Sequence, residues 1–405
     1  MQQPLTGSFE LIKNMNTACV LNMIRVKESI SRADIARVSG LTPATVSNLA
    51  AELIDIGLIK EMDRGESSGG RKPVLLSINK TACYFGGIHI GSTMIEAAVS
   101  NVGADILCAC RASLEGASPE DAVRLAMQLL LQAKEKAGVK DIAGIGVCTH
   151  GLVRSDEGLL VFAPNLGWSN VQLGNMFFQT SGLPVFIEND VRAMALAESW
   201  CGLAFGVKDY VYLYIGPGIG GSIVSGGEIY KGQGNFAGEF GHETIEPDGP
   251  LCSCGNHGCL QALASETAVL DRYRQHKKRL HITPNCRNYA ELLQAANTGD
   301  SDALEEILKS VRYIGIEVGN IINALSPRLI VINGQITQLH DIVMPALKQE
   351  INHHCLSYSE NDTKIVFSPL HDNAPIKGAQ TCVIRQMFES PKKFLKSANE
   401  CIRTE

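Results

Sequence analysis

Residues 238–261 read GEFGHETIEPDGPLCSCGNHGCLQ, and one His and three Cys fall inside this turn-rich stretch. His242 is followed by Cys252, Cys254 and Cys259, with Gly255 and Gly258 between the last two Cys to let the backbone fold the side chains inward. One imidazole and three thiolates make a closed tetrahedral set, the signature of a structural Zn²⁺ rather than of a catalytic ion with an open position. The competing reading, a flexible loop with incidental Cys, leaves the ligand number and spacing without a reason.

Working outward, 405 residues exceed one ordinary core and predict two to three domains. A hydrophobic content of 45% against 19% charged residues excludes a disordered chain. The net charge of −6 is uneven: up to Lys80 there are ten Lys and Arg against eight Asp and Glu, and after it 26 against 34. A polyanion partner is therefore expected at the N-terminal segment. The 13 Cys are scattered through apolar runs such as residues 106–110 and 146–148, which fits free thiols in a reducing compartment better than a secreted disulfide framework. With no charged-then-apolar leader and no run of membrane-spanning length, the cytoplasm is the expected location and a membrane is not an expected partner.

The N-terminal segment carries a DNA-reading pattern. Phe9, Ile12, Met15, Val20, Met23 and Ile24 recur at helical spacing. Ser31 is a good N-cap for a short second helix that stops at Gly40. Thr42 and Pro43 then open a third helix running to about Asp55, and the three together form a helix-turn-helix. Thr42, Ala44, Thr45, Ser47 and Asn48 are expected on its exposed start, with Val46, Leu49, Leu53 and Ile54 packed inward; small polar groups and an Asn suit base edges in a major groove. Strands over 58–62 and 74–78 flank a glycine-rich hairpin at 63–72, a wing whose Arg64, Arg71 and Lys72 can reach phosphates or a minor groove. An α-helical interaction module with a solvated basic loop is the alternative.

Beyond Lys80 strands alternate with helices, which predicts α/β layers about a buried sheet. A strand over 210–215 empties into Gly216-Pro-Gly-Ile-Gly-Gly-Ser222, where Gly216, Gly218, Gly220 and Gly221 would let backbone N–H groups approach an anion; a tight β-hairpin explains the same glycines. Taken with Glu188-Asn-Asp190, Gly238-Glu-Phe-Gly-His242, the Cys cluster and the late strand over 327–334, this run resembles the ROK family of repressors and sugar kinases along essentially the whole chain. The N-terminal helices make the likeness one to its transcriptional-repressor branch.

That resemblance implies an α/β fold with a winged helix-turn-helix and linker over 1–78, a two-lobed actin-like sugar-kinase body over 79–390 with a sugar cleft between the lobes, and a frayed tail over 391–405. It also implies sugar contacts at Asn165, Asn189, Asp190, Glu239, His242 and Gln261, with Asp190 as the general base if the protein is a kinase. Two departures weigh against phosphoryl transfer and alter the sugar set. His89 stands where the kinases have the Asp that serves the metal–nucleotide end, and an imidazole neither holds Mg²⁺ nor neutralises phosphate. Gln261 stands where the family has a sugar-binding Glu, with Glu243 and Glu266 nearby as other carboxylates. The expected function is a sugar-responsive DNA-binding repressor of carbohydrate-metabolism genes; the alternative is an ATP-dependent hexose or amino-sugar kinase that keeps a DNA-binding arm. Its expected partners are operator DNA, a sugar or sugar-derivative effector, a second copy in a homodimer or homotetramer, and a sugar-transport protein. In this picture His242 ligates zinc through one ring nitrogen and faces a sugar hydroxyl with the other.

Overall fold

The computed structural model describes residues 9–62, 73–284, 286–356, 362–391 and 394. The wing tip with Arg64, Arg71 and Lys72, and the tail after residue 394, lie outside the described residues. Contacts divide the chain into two units, one running to Ala193 and resuming at Pro375, the other Met194–Ala374.

The first unit opens with α1 (Phe9–Lys27), β1 (Ile30–Ser31), α2 (Arg32–Ser39), α3 (Pro43–Asp55), β2 (Ile59–Met62) and β3 (Leu75–Ile78). Ser31 Oγ accepts from the Asp34 N–H at 3.1 Å and Gly40 ends α2 with φ of 72°, while Thr42 Oγ1 accepts from the Thr45 N–H at 3.2 Å and Pro43 begins α3. These caps satisfy donors that a helix start otherwise leaves open. Val20, Leu21, Ile24, Ile35, Val46, Leu49, Leu53 and Leu58 are buried. Ile54, expected inward, is half-buried; Ala50, one turn before it, takes the core position. The three short strands pair in the order β1-β3-β2, the sheet that underlies a winged helix.

The unit continues with β4 (Tyr84–Ile90), β5 (Met94–Asn101), β6 (Ile106–Ser113), α4 (Pro119–Lys136), β7 (Ile145–Thr149), β8 (Leu152–Arg154), β9 (Leu159–Ala163), β10 (Trp168–Val171), α5 (Leu173–Ser181), β11 (Val185–Asn189) and α6 (Asp190–Cys201). Its main sheet has the order β11-β7-β4-β5-β6, with β11, β7 and β4 parallel and β5 and β6 antiparallel. Ile88, Ile90, Ile145, Val147 and Ile187 pack with Ala126, Leu130 and Phe177 in one apolar cluster. The run 106–110, which the sequence marks only as apolar, is the start of edge strand β6.

The second unit contains β12 (Tyr210–Ile215), β13 (Ile219–Ser225), β14 (Glu228–Tyr230), α7 (Leu260–Ala264), α8 (Glu266–Arg279), α9 (Tyr289–Asn297), α10 (Ser301–Leu325), β15 (Leu329–Asn333), α11 (His340–His354) and β16 (Lys364–Phe367); α12 (Ala374–Glu389) follows. Its sheet order is β14-β13-β12-β15-β16, with β12, β15 and β16 parallel. Each unit thus builds an antiparallel three-stranded meander and adds two parallel strands to the meander's first strand. The stretch 303–325 is a single helix because Ala303, Ile307, Val311, Ile314, Val318 and Ile321 form one buried stripe at 3–4 residue spacing. Among the described residues no helix is long and apolar enough to cross a membrane.

Helix α12 lies directly on the first unit's sheet. A Cβ on Gly146 would sit 1.7 Å from the Ala379 carbonyl oxygen, and one on Gly87 would sit 2.5 Å from Gln380 Cγ. No side chain fits at Gly146 without moving the helix backbone. Gly146→Ala is accordingly expected to destabilise the protein by about 3 kcal/mol, read as a lower urea midpoint with an unchanged slope; a midpoint like that of wild type would show that the contact is slack.

Candidate ligand and metal site

Parallel strands present their carboxyl ends on one edge, and α/β proteins bind ligands there. In the first unit that edge carries Ile90 of β4, Thr149 at the end of β7 and His150 after it, and Asn189 at the end of β11 and Asp190 after it. Local hydrogen bonds fix each polar group. The His150 N–H donates to the Ile90 carbonyl at 3.1 Å, and Asn189 Nδ2 donates to the Gly151 carbonyl at 2.9 Å and to Asp190 Oδ1 at 3.1 Å. Asp190 Oδ1 also accepts the Val191 N–H at 2.9 Å, and Asn189 Oδ1 accepts the Arg192 N–H at 3.1 Å, so Asn189 caps α6, whose first residue is Asp190. Asn165, on the loop after β9, lies 3.1 Å from His150 Nε2, and His150 Nδ1 lies 3.8 Å from Asp190 Oδ2.

Three of the sugar contacts expected from sequence, Asn165, Asn189 and Asp190, therefore surround a fourth residue that sequence reading passed over, His150. Its signal was a polar residue closing an otherwise apolar strand just before a glycine. His89 belongs to the same edge: burial holds its imidazole below the ordinary range, Asp190 pulls it back up, and His150 pushes it down. His89 is thereby kept neutral at the place where the kinases carry a carboxylate.

In the second unit, among the described residues, one group of His and Cys places its ligand atoms together. The ligand atoms of His242, Cys252, Cys254 and Cys259 all lie within 4.8 Å of one another. His242 Nδ1 is 3.6 Å from Cys252 Sγ, and Cys254 Sγ is 3.7 Å from Cys259 Sγ. Ligand distances of about 2.3 Å for sulfur and 2.0–2.1 Å for nitrogen, set at tetrahedral angles, require edges of roughly 3.8 and 3.6 Å. The His242–Cys252 and Cys254–Cys259 edges match that test, and the four groups could hold a metal ion. Backbone bonds from the Cys252 N–H to the Asn256 carbonyl (2.8 Å) and from the Gly258 N–H to the Pro250 carbonyl (2.9 Å) close the loop into a compact hairpin. Without a cation the thiols oppose one another: burial, then the neighbouring Cys254 and Cys252, push Cys259 up to about 12. A bound cation reverses that preference by stabilising the thiolates.

The glycine run lies beside this loop. Gly220 and Gly221 are part of β13, and the Gly216 N–H donates to the Gly218 carbonyl at 2.9 Å, so the run turns as a hairpin. The Ile219 N–H donates to Gln261 Oε1 at 3.1 Å, and a Cβ on Gly218 would approach that oxygen to 2.9 Å. Gln261 Nε2 reaches Ser253 Oγ at 3.4 Å, between Cys252 and Cys254. Gln261 thus ties the glycine hairpin to the metal loop, while Glu239 is exposed one turn before His242. Glu266, the first residue of α8, donates its N–H to the Gly216 carbonyl at 2.9 Å and accepts from Gln335 Nε2 at 3.1 Å. Burial raises its carboxyl to about 7.

In the N-terminal helices Ala44, Ser47 and Asn48 are exposed on α3, Thr45 is half-buried, and the Thr42 hydroxyl serves the helix cap. The pattern of the ROK family matches residues 85–386, and that of a winged helix-turn-helix DNA-binding domain matches residues 20–60. The chain belongs to the ROK family. It is 34% identical over 401 residues to the xylose repressor of Caldicellulosiruptor bescii, covering 95% of this chain and 99% of that one. It is 29% identical over 392 residues to the N-acetylglucosamine repressor of Escherichia coli O157:H7, covering 95% and 96%. The crystal structure of a ROK family transcriptional regulator, a homologue of the E. coli MLC protein, superposes with a TM-score of 0.83 at 30% identity, over 95% of this chain and 99% of that one. The ROK body and its winged helix are thus shared along nearly the full length.

Glu266 gives a pH test. A carboxyl raised in the folded state binds its proton more tightly there than when unfolded, so its contribution is fully present below pH 4.5 and is lost as pH rises through about 7. Between pH 5 and 8.5, Glu266→Gln should remove up to about 3 kcal/mol of the wild-type loss in unfolding free energy; parallel pH profiles for the two proteins would refute the assignment.

Proposed function

We propose that the protein is a sugar-responsive transcriptional repressor that acts in the cytoplasm as a homodimer or homotetramer on a paired operator. One observation carries the reading: a capped recognition helix with Ala44, Ser47 and Asn48 exposed shares a chain with a ROK body whose strand ends gather Asn165, Asn189 and Asp190. In this reading α3 enters the major groove, with Thr42 and Thr45 shaping its start, and Arg64, Arg71 and Lys72 of the wing contact phosphates. Sugar hydroxyls are bound by Asn165, Asn189 and Asp190 in the first unit, and by Glu239, His242 and Gln261 in the second. A sugar that binds one conformation of the protein more tightly than another shifts the population toward it and so changes operator affinity. A sugar-transport protein that sequesters the repressor is a further partner in this proposal.

Two features speak for binding rather than phosphoryl transfer. His89 is held neutral where a carboxylate is needed for the metal–nucleotide end. The glycine run has turned its Gly216 and Ile219 donors to Gly218 and Gln261, and is anchored at Gly216 by Glu266.

The metal is proposed to be a structural Zn²⁺ held by His242 Nδ1 and the Cys252, Cys254 and Cys259 thiolates. When bound, it fixes the loop electrostatically and leaves no open position for chemistry. His242 Nε2 then remains for a sugar hydroxyl, oriented by the metal on the other ring nitrogen.

In a gel-shift assay with DNA from its own promoter, D-xylose or N-acetyl-D-glucosamine, the sugars in its relatives' names, should change the fraction of DNA bound. Asn48→Ala should weaken specific binding by about 1–3 kcal/mol, with little effect on non-specific DNA. An operator complex indifferent to sugars and sugar phosphates would refute the effector half. For the metal, wild type should contain one zinc per chain by atomic absorption, and Cys254→Ala should lose it together with the sugar response. Zinc loss with an intact response would separate the two roles.

A further inference from the structure

Resting on the sugar-binding reading above, we propose that His150 is a further sugar-binding residue, which grips the same hydroxyl as Asp190 from the opposite side. Asn165 Nδ2 can only donate, so at 3.1 Å His150 Nε2 is the accepting nitrogen. In the neutral ring the proton then sits on Nδ1, the nitrogen facing Asp190. Asp190 Oδ1 already takes the Val191 N–H and Asn189 Nδ2, which leaves Oδ2 as the oxygen turned toward the imidazole.

The separation of 3.8 Å is too long for a direct hydrogen bond and well suited to sharing one. A hydroxyl oxygen about 2.7 Å from a carboxylate oxygen and about 2.9 Å from a ring nitrogen spans such a gap at an angle of roughly 85°. That hydroxyl donates its proton to Oδ2 and accepts from Nδ1–H, using both of its capacities at once. The imidazole is reachable, with its side chain 36% exposed, whereas the Asp190 side chain is 13% exposed, so the ligand approaches over His150. The frame is rigid on both sides: the His150 N–H is tied to the Ile90 carbonyl, and Asn189 is tied to the Gly151 carbonyl. A group that offers only an acceptor would meet the Asp190 carboxylate unpaired. This subsite therefore selects a free hydroxyl over a methoxy or keto group at that carbon.

The test is calorimetric titration of the full chain with D-xylose, N-acetyl-D-glucosamine and their monodeoxy analogues. His150→Leu should weaken the bound sugar about ten- to a hundredfold, and His150→Gln, which keeps an amide donor and an acceptor for Asn165, should recover most of that loss. The analogue lacking the hydroxyl held by Asp190 should bind wild type and His150→Leu alike. Thermal melts of the two variants close to that of wild type keep the comparison about binding. If His150→Leu weakens every analogue by one common factor, or binds the parent sugars as wild type does, the inference is overturned while sugar binding stands. If wild type binds neither sugar, the underlying reading fails and this inference falls with it.

Discussion

The contact between the backbone of α12 and the glycine floor of the first sheet constrains everything that happens at that sheet's edge. With the Ala379 carbonyl where a Gly146 side chain would be, the helix sits against β7 and β4 at backbone distance, and Val383 and Gln380 fill the spaces beside Gly144 and Gly87. Close packing of this kind leaves the strands little freedom to slide. The ends of β4, β7 and β11 are therefore held in one register, and their terminal residues become fixed points for hydrogen-bonding groups. His150, Asn189 and Asp190 are precise because the strands behind them are; His150 and Asn189 also bond to the Ile90 and Gly151 carbonyls of the neighbouring strand end and turn, and Asp190 to the Val191 N–H of its own helix.

The second unit reaches a comparable precision by different means. There the sheet edge is followed by a hairpin of glycines, which has little stiffness of its own, and a loop of some twenty residues that is too polar to pack a core. His242 and the three Cys place their ligand atoms within 4.8 Å of one another, and a metal ion held by them would supply the stiffness that apolar packing cannot. Gln261 carries it across to the hairpin, since its Oε1 holds the Ile219 N–H while Nε2 reaches Ser253. A Glu at this position would present a second acceptor outward; Gln presents donors, because the backbone N–H dictates which way the amide faces.

Much of this was legible in the sequence because local rules and tertiary demands agree. Ser31, Gly40, Thr42 and Pro43 mark the helix-turn-helix with the same cap chemistry that the structure uses, and the His242–Cys259 spacing places four ligands in one cluster. Legibility failed where a residue's role depends on a partner distant along the chain. Gln261 reads only as a sugar contact in the sequence, and its other task, accepting the Ile219 N–H from 42 residues earlier, shows only in the structure. His150 reads as nothing in particular until Asn165 and Asp190 converge on its two nitrogens. Asp190 was legible as either a helix cap or a ligand group; the cap falls to Asn189, whose Oδ1 takes the Arg192 N–H, while Asp190 Oδ1 takes the Val191 N–H and Oδ2 faces His150. Helix α10 was legible in position but not in continuity, because its buried stripe is defined only by what packs on it.

The glycine run shows why donor accounting decides between functions that one motif permits. An anion site at a glycine turn works by leaving several backbone N–H groups converging and unclaimed. Here the Gly216 N–H is spent within the turn and the Ile219 N–H is spent on Gln261, while Gly220 and Gly221 lie in β13, opposite Tyr214 and Leu213 of β12. Beside the turn stands Glu266, whose carboxyl, raised to about 7, acquires negative charge as the pH approaches neutrality and above, and a phosphate would be repelled by it. The same glycines thus serve as the flexible corner of a sheet. What they allow is the close seating of Gln261 against the hairpin, which joins the sheet corner to the loop that carries His242 and the three Cys.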